Sequence, residues 1–182
     1  MNYILGIDND ILQFIQHNIR CNILDTVMPL VTSLGNAGLF WIILCILMLC
    51  SKRYRKCGFI MIIALVLCAI VGNLTLKPIV ARIRPFDASP LIDGLLISAP
   101  KDFSFPSGHT MVSFSCAGVL LYMNRRIGIA AFMLSSIIAF SRLYLYVHYP
   151  SDVLSGMIIG IILSYISIKI HIWLECNFFL RK

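Results

Sequence analysis

The sequence predicts an all-α membrane protein, a polytopic bundle of about five to six transmembrane helices with an amphipathic helix at the N-terminus. Of the 182 residues, 59% are hydrophobic and only 13% are charged, whereas ordinary soluble domains have about 45–50% and about 25%. The apolar residues also form runs of about the 20 residues that a membrane-spanning helix needs. The chain length suits a single domain over residues 1–182.

The first element is an amphipathic helix over residues 1–20. Apolar side chains recur there at helical spacing (Ile4, Ile7, Ile11, Phe14 and Ile15), and the polar side chains, including Asp8, occupy other positions around the helix. A helix of this kind lies at the membrane interface with its apolar side in the lipid.

The apolar segments that follow are predicted membrane spans. Residues 24–50 form one broken span, or a short helix followed by a span, because Pro29 and a Gly-Asn-Ala-Gly stretch at 35–38 interrupt them. Pro150 suits the first turn of the last span. The further spans cover residues 57–76, 107–123, 127–147 and 149–173.

Composition also excludes several classes of protein. The seven cysteines form no CxxC pair, so we expect packing residues rather than a disulfide framework or a zinc site. The net charge of +7 comes mainly from residues at the ends of apolar spans. That pattern is typical of membrane topology and contact with anionic lipid, not of nucleic-acid binding.

The same charges orient the predicted bundle. Residues 51–56, residues 124–126 and the C-terminus hold eight Lys and Arg residues, and five spans place these stretches on one side. The positive-inside rule makes that side cytoplasmic. Residues 77–106 and 141–152 then lie on the outer side, which also holds seven of the eight acidic residues.

Basic and polar side chains gather at this outer face. Cations grouped beside hydrocarbon need an anion, and the guanidinium fork matches two phosphate oxygens. Ser107 and Gly108 begin a predicted helix, where free N–H groups and the helix dipole favour an anion. The candidate residues at the face are Lys77, Arg82, Arg84, His109, Arg142, His148 and Asp152.

The two histidines give this face reactive chemistry. One imidazole would attack phosphorus while the other protonates the leaving oxygen. Asp152 follows His148 by four residues, and a carboxylate bonded to an imidazole fixes its tautomer. The cations already neutralise phosphoryl charge, and the ligands for a metal are too few, so we expect neither a metal nor a cofactor.

Three motifs in the chain resemble those of the type 2 phosphatidic acid phosphatases. Residues 77–85 match Lys, six residues, Arg-Pro; residues 106–109 match Pro-Ser-Gly-His; and residues 141–152 match Ser-Arg, five residues, His, three residues, Asp. All three occur in order without a departure from the family pattern, and they define a catalytic region over residues 77–152.

The resemblance implies a metal-independent helical-bundle lipid phosphatase. It makes His148 the nucleophile that becomes a phosphohistidine, Asp152 the group that orients it, and His109 the general acid. Arg82 occupies a free position of the first motif and is expected only as a contact to a second phosphate. The residues expected to hold the reacting phosphate are Lys77, Arg84, Arg142, Ser107 and Gly108.

The resemblance also suggests a substrate and a location. Several compact bacterial members of the family remove a phosphate from undecaprenyl diphosphate on the outer face of the inner membrane, which favours that lipid and a site facing the periplasm or the exterior. Phosphatidylglycerophosphate, phosphatidate and lipid A phosphates are alternatives. A non-catalytic protein that binds or flips lipids is an alternative of another class, but it would need only the cations. The expected partners are the lipid and the bilayer.

Overall fold

The computed structural model describes residues 2–91 and 94–179, and every regular element within these ranges is a helix. Asp93 and the basic pair Arg181 and Lys182 lie outside the described residues. The α-helices are α1 (Asn2–Phe14), α2 (Asn22–Ser33), α3 (Leu39–Cys50), α4 (Arg55–Cys68), α5 (Lys77–Val80), α6 (Pro85–Ala88), α7 (Gly108–Met123), α8 (Arg125–Tyr144) and α9 (Pro150–Leu174). Segments of π-helix extend α1 (Ile15–Ile19) and α9 (Glu175–Phe179) and join α4 to α5 (Ala69–Leu76), and Asn36–Gly38 is a short 3-10 helix.

Three of the described helical runs are long and apolar enough to cross a membrane: Arg55–Ala88, Arg125–Tyr144 and Pro150–Asn177. Helices α2 and α3 give a fourth crossing if the bent pair forms one span. Helix α7 is apolar but has 16 residues, a rise of about 24 Å. The predicted all-α membrane bundle is confirmed, with this fifth helix shorter than the hydrocarbon core of about 30 Å.

A break separates α2 from α3, as the sequence predicts. Ala37 and Gly38 have positive φ values of 50° and 68°, and the two helices meet at an angle of 42°. Gly35 lies in the same break, where a Cβ atom would come within 2.4 Å of Cδ2 of His109. The absence of a side chain at position 35 therefore lets the break lie directly against the start of α7.

Helix α7 is the centre of the bundle and packs along α8 and α9. Two glycines of α9 allow its close approach. A Cβ atom on Gly156 would lie 2.8 Å from the carbonyl oxygen of Ser107, and one on Gly160 would lie 2.4 Å from that of Met111. Small residues let helix backbones come together in membrane proteins, so the ends that carry the second and third motifs are held side by side.

Helix α1 confirms the predicted N-terminal helix, and its inward face combines the apolar Leu12 with one acidic residue, Asp8. Asp8 is only 2% exposed, whereas Ile4, Ile7 and Phe14 are exposed. Asp8 therefore lies away from the apolar stripe, as its spacing predicts, but is buried against the protein. Because polar side chains near hydrocarbon face the protein interior, the exposed apolar stripe of α1 is suited to lipid. Its position at the membrane interface stays a prediction.

Replacing Gly160 by alanine should destabilise the bundle, because the added methyl group would meet the backbone of α7. Overpacking of this kind costs roughly 1–3 kcal/mol. We expect a lower Tm for Gly160→Ala in detergent, measured by thermal unfolding with circular dichroism. Gly6→Ala is the matched control, since nothing lies within 4 Å of a Cβ atom there and alanine favours a helix. An unchanged Tm for Gly160→Ala would contradict the close packing of α7 on α9.

Candidate active site

The structure brings the three motifs together around one cavity of about 610 Å³. The cavity lies at the end of the bundle where α5 follows α4, where α7 and α9 begin and where α8 ends. Residues of α2 and of the loop before α7 complete its wall. The candidate residues that line it are Lys77, Arg84, Gly108, His109, Arg142 and His148.

Asp102 joins the two cations of the first motif. Its carboxylate forms ion pairs with Nζ of Lys77 and, at 2.6 Å, with Nη2 of Arg84. Partial burial alone would raise the pKa of Asp102, but the hydrogen bond and charge of Lys77, followed by those of Arg84, lower it to about 2. Asp102 is therefore an anion near neutral pH and is already paired with both cations.

Arg84 is held rigidly by backbone groups as well. Its Nε donates to the carbonyl oxygen of Asp102 at 2.7 Å, and its Nη1 donates to that of Val147 at 2.6 Å. Arg84 is also buried, so its fork has little freedom to move. A planar guanidinium fixed in this way presents a defined geometry to a phosphate group.

Arg142 differs from these cations because it has no carboxylate within ion-pair distance among the described residues. It is 2% exposed, and its Nη1 donates to the hydroxyl of Thr32 on α2. Its Nε is buried without a hydrogen-bond partner. A buried guanidinium left in this state costs free energy, and it lines the cavity, so it marks a place where an anionic group would be stabilised.

His148 is 1% exposed and lies in the loop between α8 and α9. Pro150 begins α9 and Asp152 lies in its first turn, as their spacing predicts. The Oδ2 atom of Asp152 is 3.7 Å from Nδ1 of His148, too far for a direct hydrogen bond. Ser104 connects the two: its Oγ donates to Oδ2 at 2.5 Å and lies 3.5 Å from Nδ1.

The setting of His148 keeps its imidazole neutral. Burial lowers the pKa of His148 to about 3; Asp152 opposes this effect, and the charges of Arg142 and Arg84 add to it. Near pH 7 the ring therefore has one nitrogen with a free lone pair. Its Nε2 is 3.2 Å from Nη1 of Arg84, on the side of the cations rather than of the carboxylate.

His109 lies at the start of α7 and also lines the cavity. Its Nε2 is 3.0 Å from Oδ1 of Asn36. Because an amide oxygen accepts hydrogen bonds, this contact assigns the proton to Nε2 when the ring is neutral. Nδ1 is then the nitrogen that can gain or lose a proton.

Two of the expected phosphate contacts, Ser107 and Arg82, do not line the cavity. The Ser107 hydroxyl is buried and lies 2.9 Å from that of Thr110. Arg82 is bound to Asp8 at 2.7 Å and to Asp152 at 2.6 Å. These positions differ from the phosphate contacts that we expected, whereas Gly108 does face the cavity.

Sequence reasoning missed several polar residues of the site. Thr32 and Asn36 flank the break in an apolar segment, and a polar side chain in such a segment is itself a signal of function. Asp102 and Ser104 precede the second motif by a few residues, but nothing in their spacing indicates a partner. Within residues 2–91 and 94–179, no group of three or more His, Cys, Asp or Glu side chains is placed to hold a metal ion.

A second cavity, of about 700 Å³, adjoins the first. The two share Lys77, Asp102, Gly108 and His109. The rest of the second cavity is mainly apolar, with lining residues that include Gly38, Ile42, Leu65, Ala69, Met111 and Val112. A charged cavity and an apolar one therefore meet at His109, an arrangement that suits a molecule with an anionic head and a hydrocarbon chain.

Known proteins resemble this chain over most of its length. The model of the PAP2 superfamily matches residues 53–175. An undecaprenyl-diphosphatase of Sulfolobus acidocaldarius is 30% identical over 92% of this chain and 80% of its own length. An undecaprenyl-diphosphatase of Bacillus subtilis is 29% identical over 80% of this chain and 74% of its own.

A solved structure shares the fold. The chain is similar to a transmembrane PAP2-type phosphatidylglycerolphosphate phosphatase of Bacillus subtilis, with a TM-score of 0.75, 26% identity, and coverage of 93% of this chain and 87% of that one. These comparisons confirm the family resemblance and the class of membrane hydrolase inferred from the three motifs. The chain therefore belongs to the PAP2 superfamily.

Proposed function

We propose that this chain is an integral membrane lipid phosphatase that hydrolyses undecaprenyl diphosphate to undecaprenyl phosphate. The observation that carries the proposal is the buried guanidinium of Arg142, which has no carboxylate partner among the described residues and faces the same cavity as Lys77, Arg84 and both histidines. Three cations around one cavity suit a phosphate group. A neutral imidazole beside them supplies a nucleophile.

Two features favour a diphosphate on a long hydrocarbon chain. The apolar cavity next to the charged one offers a place for the chain. Two relatives reported above are undecaprenyl-diphosphatases. The phosphatidylglycerolphosphate phosphatase of similar fold supports phosphatidylglycerophosphate as the second candidate substrate, with phosphatidate and lipid A phosphates as further candidates of the same chemistry.

The first chemical step forms a phosphohistidine. The terminal phosphate lies between Lys77, Arg84 and Arg142, where it replaces the carboxylate of Asp102. Nε2 of His148 gives its lone pair to the terminal phosphorus, and the bond from phosphorus to the bridging oxygen breaks. The bridging oxygen keeps that electron pair and takes a proton from His109, which the negative charge of the bound diphosphate keeps in its protonated form.

The second step returns the enzyme to its starting state. Neutral His109 removes a proton from a water molecule as the water oxygen attacks phosphorus. The phosphorus–nitrogen bond breaks, its electron pair returns to His148, and inorganic phosphate leaves. The cations neutralise phosphoryl charge in both steps.

We further propose that the cavity faces the outside of the cell membrane, either the periplasm or the exterior. Among the described residues, six Lys and Arg side chains lie in the turns from α3 to α4 and from α7 to α8 or in the first residues of the helices that follow them. These turns lie at the opposite ends of the helices from the cavity. Lys56 also pairs with Glu175 at the end of α9, at 2.8 Å. The positive-inside rule assigns that end to the cytoplasm.

The decisive test is phosphate release by the protein purified in detergent with EDTA present. Undecaprenyl diphosphate, phosphatidylglycerophosphate, phosphatidate and lipid A are offered separately, and we expect the highest kcat/KM with the diphosphate. His148→Ala should lower kcat by more than about 1,000-fold, because loss of a nucleophile removes the covalent route. His17→Ala is the matched control, since His17 is exposed on the N-terminal segment.

Each result has a clear meaning. Equal turnover of all four lipids would replace the proposed substrate by a broad range of lipid phosphates. Full activity of His148→Ala would contradict its role as nucleophile. No turnover of any lipid, or turnover only with added metal, would contradict the proposed function and favour a protein that binds or flips lipids.

Asp102→Asn should strengthen inhibition by inorganic phosphate. The carboxylate competes with phosphate for Lys77 and Arg84, and its pKa of about 2 means that a change of pH in the neutral range does not remove it. We expect the inhibition constant to fall roughly tenfold, equivalent to about 1.4 kcal/mol. Asp87→Asn is the control, because Asp87 is exposed outside both cavities. Weaker inhibition would mean that Asp102 mainly positions the two cations.

Ala69→Phe should impair only long-chain substrates. Ala69 lines the apolar cavity, and filling it should cost at least about 1 kcal/mol of chain binding, a factor of about five in KM. Steady-state kinetics with undecaprenyl diphosphate should show this rise, while a short-chain, water-soluble diphosphate should be unaffected. Ala130→Phe, on the exposed side of α8, is the control. Equal losses with both substrates would argue against a chain in this cavity.

A further inference from the structure

We propose that Asp8 and Arg82 are positioning residues that hold Asp152, and through it His148, in the geometry of the reaction proposed above. This inference rests on the proposed function and assigns a role to the N-terminal helix. The three motifs contain neither Asp8 nor a requirement for arginine at position 82. The inference is carried by a continuous set of hydrogen bonds from α1 to the catalytic loop.

Asp8 is the first member of the network. A buried carboxylate is costly unless it is paired, and Asp8 is bonded on both oxygens. Its Oδ1 accepts the backbone N–H of Ser151 at 2.8 Å. Its Oδ2 accepts Nη2 of Arg82 at 2.7 Å and the Ser151 hydroxyl at 2.5 Å. Asp8 therefore binds both the arginine and the first turn of α9.

Arg82 is the second member. Its Nη1 donates to Oδ1 of Asp152 at 2.6 Å and to Oγ of Ser151 at 2.7 Å. Its guanidinium lies over the ring of Tyr149, 4.0 Å from the centroid, a favourable cation–π distance. The arginine is thus fixed by two carboxylates, a hydroxyl and an aromatic ring, and it has no part in the cavity wall.

The two carboxylate oxygens of Asp152 bind different partners. Oδ2 faces His148 and accepts from Ser104 and from the backbone of Tyr149. Oδ1 accepts from Arg82. The arginine therefore fixes the rotation of the carboxylate about its last bond, which determines how Oδ2 meets the imidazole.

The charge of Asp8 has a separate consequence. If Arg82 were paired with Asp152 alone, its guanidinium would neutralise the carboxylate of Asp152. That carboxylate would then attract the proton on Nδ1 of His148 less strongly. With Asp8 on its other side, the guanidinium is shared between two carboxylates, and the group of three keeps a net negative charge. Asp152 thus favours the tautomer of His148 in which Nδ1 is protonated and Nε2 is free to attack.

The test compares Asp8→Asn with Asp10→Asn, the same substitution at an exposed position of the same helix. We expect Asp8→Asn to lower kcat by about 10- to 100-fold, by analogy with the loss caused by removing groups that orient the histidine ligands of metal sites. KM should stay near the wild-type value, because the residues that hold phosphate are unchanged. Asp10→Asn should match the wild type, and Asp8→Glu should recover part of the activity.

A double variant tests whether Asp8 acts through Arg82. If it does, adding Asp8→Asn to Arg82→Gln should cost much less than Asp8→Asn costs alone. If the fold-losses in kcat of the two single variants multiply in the double variant, the two residues act independently and the proposal is overturned. An equal fall in kcat for Asp8→Asn and Asp10→Asn would also overturn the proposal. The loss would then come from a general disturbance of α1 and not from the hydrogen bonds of Asp8.

A measurement without substrate separates this proposal from the proposed function. The 15N shifts of the His148 ring, assigned by their loss in His148→Asn, report which nitrogen carries the proton. We expect protonated Nδ1 in the wild type and a loss of that tautomer in Asp8→Asn. If the wild type hydrolyses no lipid phosphate, the proposed function is wrong. The 15N measurement still shows whether Asp8 controls the tautomer of His148. Unchanged shifts in Asp8→Asn would overturn the proposal.

Discussion

The burial of positive charge in an apolar helical bundle is the constraint on which the site depends. Lys77, Arg84 and Arg142 are all buried, and a buried cation is tolerated only with an anion or well-placed hydrogen-bond acceptors. Asp102 meets this need for Lys77 and Arg84. Arg142 has a threonine hydroxyl and a nitrogen without a partner. Within residues 2–91 and 94–179, Arg142 is therefore the cation of this cavity that a ligand would satisfy.

The carboxylates are divided between two sides of His148. Asp102 lies with the cations that face Nε2, whereas Asp152 lies near Nδ1. The negative charge on the Nε2 side is paired with Lys77 and Arg84, so a phosphate can take the place of Asp102 there. The charge of Asp152 lies on the other side, where a ring proton belongs. Asp102 is also the carboxylate that a substrate phosphate can displace, because its side chain is 51% exposed and can turn toward solvent. Asp152 is fully buried and has no such exit.

The helices and the three motifs could be predicted from the sequence because each is a local pattern. Apolar runs define spans, and Pro150 with Asp152 defines the start of α9. The partners of the motifs are not local. Asp8 and Arg82 are separated by 74 positions, and no period along the chain connects them. The spacing of α1 separates Asp8 from the apolar stripe, but it does not distinguish Asp8, which is buried, from Asp10, which is exposed.

The central pair of helices explains how such distant residues keep a fixed geometry. The two histidines lie on different elements: His109 begins α7, and His148 precedes α9. Glycines 156 and 160 bring these helices to backbone contact, and the N–H of Ser107 donates to the carbonyl oxygen of Asp152 at 3.2 Å. Catalysis by two groups needs a separation that does not vary. The small residues of α9 are therefore as much a condition of the chemistry as the histidines, although none of them touches the cavity.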